Sequence, residues 1–251
     1  MAKSEYVFGL HAVQSLLKTA PLRVEKLFVL RGREDQRIQK VLNLAQSQGI
    51  SWEWQTRKEM DARSAEGNHQ GVIAVAKPGQ LHDEAFLYEL IANAAPIFLL
   101  VLDGVTDPHN LGACLRSADA AGVQAVIIPK DNSAGLTETA RKVACGAADS
   151  VPLVSVTNLS RCLEKLQELG VWLVGTSGDA KETIYDLDLT GNIAVIMGAE
   201  GSGMRRLTRE HCDYLAHIPM CGSVSSLNVS VATGVCLFEA LRQRRLWQSS
   251  A

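Results

Sequence analysis

From residue 97 onward the chain alternates short apolar runs, unbroken by polar residues, with helical patterns, and this restricts its fold more than any other feature. Ile97–Leu102, Ala125–Ile128, Val171–Gly175 and Ile193–Met197 are aliphatic or β-branched, with no polar residue at every second position. A strand with one wet face alternates; a strand covered on both faces does not, and such strands belong to parallel sheets between helices. Between them, Leu111–Ala121 and Leu159–Leu169 have helical spacing, each followed by a glycine, at 122 and 170, that suits a left-handed stop. A last helical pattern runs from about Leu227 to Trp247. The fold class is therefore α/β, with a parallel-sheet domain over 97–251.

The first 77 residues follow a different grammar and read as a small α/β unit. Strands are expected at Tyr6–Phe8, Val24–Leu30, the alternating Ile50–Trp54 and Gly71–Ala76, with helices at Leu10–Lys18 and Glu34–Gln48. Gly49 closes the second helix, and the polar stretch Ser64–Gln70 reads as a loop. Lys77-Pro78-Gly79-Gln80 breaks the pattern, and a connecting helix is expected at Asp83–Ala94. The expected organisation is a domain over 1–77, a linker over 78–96 and a domain over 97–251. Charge divides along the same line. Residues 1–77 carry 12 Lys+Arg against 8 Asp+Glu, while the rest carry 13 against 19. A basic unit faces either a polyanion such as nucleic acid or only solvent.

Several classes are excluded. The longest apolar run, Ala94–Leu102, has nine residues counting Pro96, where a membrane helix needs about 20. The first six residues lack the apolar core of a signal peptide, so a cytoplasmic protein is expected. The cysteines at 114, 145, 162, 212, 221 and 236 form no Cys-x-x-Cys, the histidines form no His-Glu-x-x-His, and neither disulfides nor a metal site are expected.

Ligands of open α/β sheets bind beyond the carboxyl ends of the strands, and three segments there carry unusual residues. In Asp103–Arg116 a buried strand ends at Asp103, a Gly- and Pro-containing loop follows, Asn110 is placed to cap the next helix, and Arg116 lies inside it. The pair Asn110 and Arg116 suits a phosphate or ribose. In Val195–Arg206 glycines 198, 201 and 203 follow a strand. The third position of a dinucleotide fingerprint is Arg206, and no Gly-Lys-Ser/Thr occurs. Glu200 in this loop would repel a pyrophosphate, which favours a cationic or neutral ligand. In His217–Gly234 a strand end enters a run of small hydroxylic residues. Ser223, Ser225 and Ser226 are cap candidates, and Ser230, Ala232, Thr233 and Gly234 allow close helix–helix or dimer packing. Arg242, Arg244 and Arg245 suit a helix carboxyl end and a contact with RNA.

Together these segments resemble the SpoU (TrmH) branch of the SPOUT methyltransferases, which make 2′-O-methylribose in RNA. Asn110…Arg116, Gly198-Ala-Glu200-Gly201 and Ile218-Pro219-Met220…Ser226-Leu227-Asn228 look like its three motifs, in order, and the likeness covers 97–245. Tyr6-Val-Phe-Gly9-Leu-His11-Ala-Val and Asn68-His69-Gln70-Gly71 look like the substrate-binding extension of its rRNA members. The resemblance implies a parallel sheet ending in a trefoil knot, a homodimer, and S-adenosylmethionine bound near Thr176, Gly198, Ile218, Met220 and Leu227, with no metal. It also implies methylation of a guanosine in 23S rRNA (the peptidyl-transferase region), either in naked RNA or in a ribosomal assembly intermediate. Catalytic roles would fall to Asn110, Arg116, Glu200, Ser226 and Asn228. Because a guanidinium stays protonated, Arg116 is expected to stabilise a developing alkoxide rather than accept a proton. Alternatives are a tRNA ribose methyltransferase, which the N-terminal unit opposes, and a non-catalytic RNA-binding or ribosome-assembly protein. A nucleotide-dependent oxidoreductase is disfavoured by Glu200 and the missing glycine. Arg31, Arg33, Arg37 and Lys40 are expected to meet phosphates, while Trp52 and Trp54 either stack on a base or belong to the core.

Overall fold

The computed structural model describes residues 4–65, 67–77, 79 and 81–250; Pro78 and Gln80 of the expected boundary lie outside the described residues. The chain divides into two compact units, one of Met1–Gln80 with Cys145–Ser150, the other of Leu81–Ala144 with Val151–Ala251.

The N-terminal unit contains β1 (Glu5–Phe8), α1 (Leu10–Thr19), β2 (Val24–Leu30), α2 (Gln36–Ser47), β3 (Trp52–Gln55), α3 (Arg57–Arg63) and β4 (Val72–Ala76). Its sheet has the order β1-β4-β2-β3, with β4 antiparallel to both neighbours and β2 parallel to β3. Helices α1 and α2 exist because Leu10, Val13, Leu16 and Leu17, and Ile38, Val41, Leu42 and Ala45, form apolar stripes that pack with Leu27, Val29, Val72 and Ala74 into one core. Gly49 (φ +68°) follows α2 as its stop. Helix α3 was hidden by its polarity: only Met60 is buried, and a capping box of Thr56 and Glu59 starts it. Trp52 packs against the core, while Trp54 remains 42% exposed.

The larger unit contains α4 (Glu84–Asn93), β5 (Phe98–Asp103), α5 (Pro108–Ala121), β6 (Ala125–Pro129) and α6 (Glu138–Ala144). After α7 (Ala147–Ser150), which belongs to the N-terminal unit, come β7 (Leu153–Val156), α8 (Leu159–Glu168), β8 (Trp172–Thr176) and β9 (Glu182–Thr183). The chain ends with β10 (Ile193–Gly198), α9 (Arg206–His211), β11 (Tyr214–His217) and α10 (Val229–Ser250). Seven parallel strands lie in the order β7-β6-β5-β10-β8-β11-β9. All six residues of β5 and the first five of β10 are buried, as their lack of alternation requires. Helix α4 is part of this unit: Leu87 and Ile91 are buried with Leu99, Val101, Leu163 and Ile196 in one core. Among the described residues no helix is long and apolar enough to cross a membrane.

Two caps differ from expectation. Asp107, not Asn110, caps α5, because a side chain must precede the first turn to reach its N–H groups: the Asp107 carboxylate accepts from His109 N at 2.9 Å. At α10 the cap is Asn228, whose Oδ1 accepts from Ser230 N at 2.9 Å, so Ser223, Ser225 and Ser226 stand before the helix. Arg244 is also not at the surface. It is 9% exposed, stacks on Phe98 at 4.7 Å and donates to the carbonyls of Ile97 (2.9 Å) and Gly191. Burial lowers its pKa, and it is unavailable to RNA. Arg242 pairs with Glu239 at 2.8 Å.

Candidate active site

Strands β8, β10 and β11 end side by side, and their carboxyl ends open into a cavity of about 630 Å³. Parallel strands deliver these ends to one edge, the side on which such sheets take ligands. The floor demands glycine. A Cβ on Gly198, the last residue of β10, would stand 2.2 Å from Gly203 C and Met204 N.

Beyond Gly198 the chain makes a tight loop. Ala199 and Gly203 exchange two backbone bonds, of 3.0 and 2.9 Å, and Glu200 lies at the turn. Gly201 (φ +77°) and Gly203 (φ +67°) take the left-handed conformations that close it. The loop is fastened to β5 by the buried Asp103, which accepts from Arg205 N at 2.8 Å and from Arg205 Nε at 2.6 Å. Charge-assisted bonds of this kind are the stronger class.

The three sequence segments meet at the cavity mouth. Asn228 Nδ2 donates to Asn110 Oδ1 at 3.0 Å and also to Glu200 Oε1, which accepts a further 3.3 Å bond from Val229 N. Asn110 and Asn228 are 118 residues apart in sequence. Glu200, Ser226 and Asn228 line the cavity, as do Thr176, Gly198, Ile218, Met220 and Leu227. Asn110 touches this set through Asn228. Arg116 is an exposed residue of α5, six positions beyond Asn110 and about 9 Å further along the axis, outside the cavity lining.

Sequence reasoning missed part of the wall. Ser177, Gly178 and His217 line the cavity. Ser177 accepts from Arg209 at 2.8 Å, and Arg209 pairs with Asp179 at 2.9 Å. The Arg209 guanidinium, with the Ser177 hydroxyl, holds the Asp179 carboxyl down to about 2. The available signal was position: Ser177 and Gly178 directly follow a buried strand. The Asp103–Arg205 bond had no local signal. Small residues matter where α10 meets α5, with Cys114 Sγ 3.5 Å from Thr233 Oγ1. A Cβ on Gly234, by contrast, would meet Ser117 Oγ only at 3.8 Å. Among the described residues no group of three or more His, Cys, Asp and Glu side chains could hold a metal.

A cavity closed by backbone, with one carboxylate and neither lysine nor arginine in its lining, fits a neutral or cationic ligand better than a pyrophosphate. Comparison with known proteins agrees. Residues 97–238 match the SpoU rRNA Methylase family, and residues 6–82 match the domain described as RNA 2'-O ribose methyltransferase substrate binding. The 23S rRNA (guanosine-2'-O-)-methyltransferase RlmB of Escherichia coli K12 is 60% identical over 241 residues, 96% of this chain and 99% of that one. Its counterpart in Pseudomonas syringae pv. tomato is 60% identical over 245 residues, 97% of this chain and 98% of that one. The fold matches the crystal structure of the SpoU methyltransferase AviRb from Streptomyces viridochromogenes in complex with AdoMet, with a TM-score of 0.77 at 24% identity. That match covers 97% of this chain and 91% of that one. With both of its parts matched by family models and near full-length relatives 60% identical, this chain belongs to the SpoU rRNA methylase family.

Proposed function

We propose that this chain transfers a methyl group from S-adenosylmethionine to the ribose 2′-hydroxyl of a guanosine in 23S rRNA. The observation that carries this reading is the Asn110–Asn228–Glu200 bridge beside a glycine-floored cavity. It is supported by relatives of that printed activity that match almost the whole chain. The cavity suits the donor: about 630 Å³ lies within the usual range for such ligands. Glu200 favours a sulfonium charge. Thr176, Gly198, Ile218, Met220 and Leu227 would hold the donor, largely through backbone and apolar contact. Bound there, it supplies a methyl carbon on a positively charged sulfur that departs as a neutral thioether.

The protein must place a ribose oxygen in line behind that carbon, and such alignment supplies much of the acceleration. The ribose hydroxyl must also lose its proton, which passes to solvent water. Arg116, permanently cationic, stabilises the oxygen as it becomes an alkoxide and anchors the neighbouring phosphate. Glu200, Ser226 and Asn228 orient the nucleophile, and Asn110 fixes Asn228. The substrate nucleotide is assigned to the peptidyl-transferase region, met in the cytoplasm on RNA or an assembly intermediate. A trefoil knot is what the match to SpoU folds implies; β10 lies between β5 and β8 although it follows both in sequence. A homodimer is supported by Val231 and Phe238, 52% and 48% exposed on α10.

The test is methyl transfer from radiolabelled S-adenosylmethionine to 23S rRNA, with 2′-O-methyl mapping of rRNA and tRNA from a deletion strain. A single lost guanosine methylation in 23S rRNA is expected. A lost tRNA methylation would reassign the substrate. Failure to bind the donor in calorimetry would leave only a non-catalytic RNA-binding protein.

A further inference from the structure

The N-terminal unit contains a second cavity, about 520 Å³, that the proposed chemistry does not use. One wall is built rigidly. Arg33 donates from Nε to Asp35 at 2.5 Å and, through its other end, to the carbonyl of Gln70. Gln70 itself sits at φ +47°, a conformation uncommon for a residue with a side chain. Its Oε1 accepts from Leu10 N at 3.0 Å. Next to it His69, 4% exposed, accepts from Gly71 N on Nδ1 and therefore donates from Nε2 to Asp61, both at 3.0 Å. Gly71 takes φ +78°, a left-handed conformation that glycine adopts without strain. The loop is thus held in a strained shape by partners on α1, α3 and the β2–α2 loop, as binding loops often are.

Two further arginines complete the lining. Arg37 on α2 and Arg57 on α3 are exposed, and Arg57 has only a loose pairing with Asp61, at 3.7 Å. Asp35 offsets Arg33 and the lining carboxylate Asp61 offsets one charge more, so the wall keeps a net positive charge carried by Arg37 and Arg57, whose planar guanidinium groups match phosphate oxygens in pairs. A cleft of about 520 Å³ is on the scale of one nucleotide rather than of a duplex face.

We propose that this cleft grips a phosphodiester of single-stranded RNA between Arg37 and Arg57, against the fixed 68–71 loop. The inference rests on reading the chain as an RNA methyltransferase and names the part of the substrate-binding unit that holds the strand. The test uses the full chain and a fluorescent single-stranded 12-nucleotide RNA, titrated by anisotropy over a range of salt. The Arg37→Ala/Arg57→Ala variant is expected to melt like the parent, bind more weakly, and lose about 1.4 from the slope of log K against log salt, the signature of two lost single-strand phosphate contacts. KM for RNA should rise while kcat and the KM for S-adenosylmethionine stay constant. The control, Lys18→Ala/Lys58→Ala, removes the same charge from exposed positions outside the cleft. An equal slope change in the control overturns the proposal, as does an unchanged slope in the arginine variant. Guanosine monophosphate binding the cleft as tightly as the oligonucleotide would also overturn it. Failure of methyl transfer with cleft-dependent RNA binding intact would instead sink the proposed reaction and leave the cleft standing.

Discussion

Replacing Gly198 by Ala should damage both the fold and the cavity. The new Cβ would lie 2.2 Å from Gly203 C and Met204 N and 2.7 Å from Gly203 O, where ordinary contact begins at 3.4 Å. A gap of about 1.2 Å must therefore open between β10 and the returning loop. The loop cannot simply retreat, because Ala199 and Gly203 exchange two backbone bonds and Arg205 is bound to the buried Asp103. Overpacking of this kind costs about 1–3 kcal/mol, and loss of one loop bond adds about 1 kcal/mol. A destabilisation of about 2–4 kcal/mol is expected in urea unfolding, seen as a lower midpoint at constant m. The displaced floor should weaken S-adenosylmethionine binding by at least about tenfold, which corresponds to 1.4 kcal/mol. Gly222→Ala is the matched control, with nothing within 4 Å of its Cβ, and should change neither quantity. A Gly198→Ala protein with parental midpoint and donor affinity would refute the argument that close backbone approach shapes the site.

Arg116→Lys keeps the charge and loses the planar fork. Methyl transfer should fall by about 10²-fold or more, the scale for removing one transition-state donor, whereas near-full activity would make the fork unimportant. Glu200→Gln should reduce kcat more than donor affinity in single-turnover and calorimetric measurements; equal losses would remove its orienting role. Of six cysteines, the exposed Cys145 and Cys221 should react quickly with an aromatic disulfide at pH 8. Cys114, raised to about 11 by burial, and Cys162, Cys212 and Cys236, raised to about 12, should stay inert until unfolding. More than two fast thiols would contradict that burial. Phe238→Glu should abolish the dimer proposed through α10, lowering the mass in sedimentation; an unchanged mass would remove α10 from the interface.

The sequence alone determined where the buried strands lie, because strands covered on both faces need unbroken aliphatic runs and helices need a stripe every 3.6 residues. Phe98–Asp103, Val24–Leu30 and Leu159–Glu168 were legible this way, and so were the glycines that stop the helices at 49, 122 and 170. Gly201, Gly203 and Glu200 stood out because they directly follow the end of β10, whereas Asn228, eleven residues beyond β11, was singled out only by the family resemblance. Polar or very short pieces such as α3 and β9 were not, having almost no periodic signal. Other features depended on the tertiary structure. It decided that β10 enters between β5 and β8, that Asp103 fastens Arg205 across 102 residues, and that Arg244 is buried under Phe98. It also decided that Asn110, placed by sequence as a helix cap, meets Asn228 instead. Period and propensity are properties of neighbouring residues. Which strand pairs with which, and which charge finds which partner, depends on contacts between distant residues that exist only once the sheet has assembled.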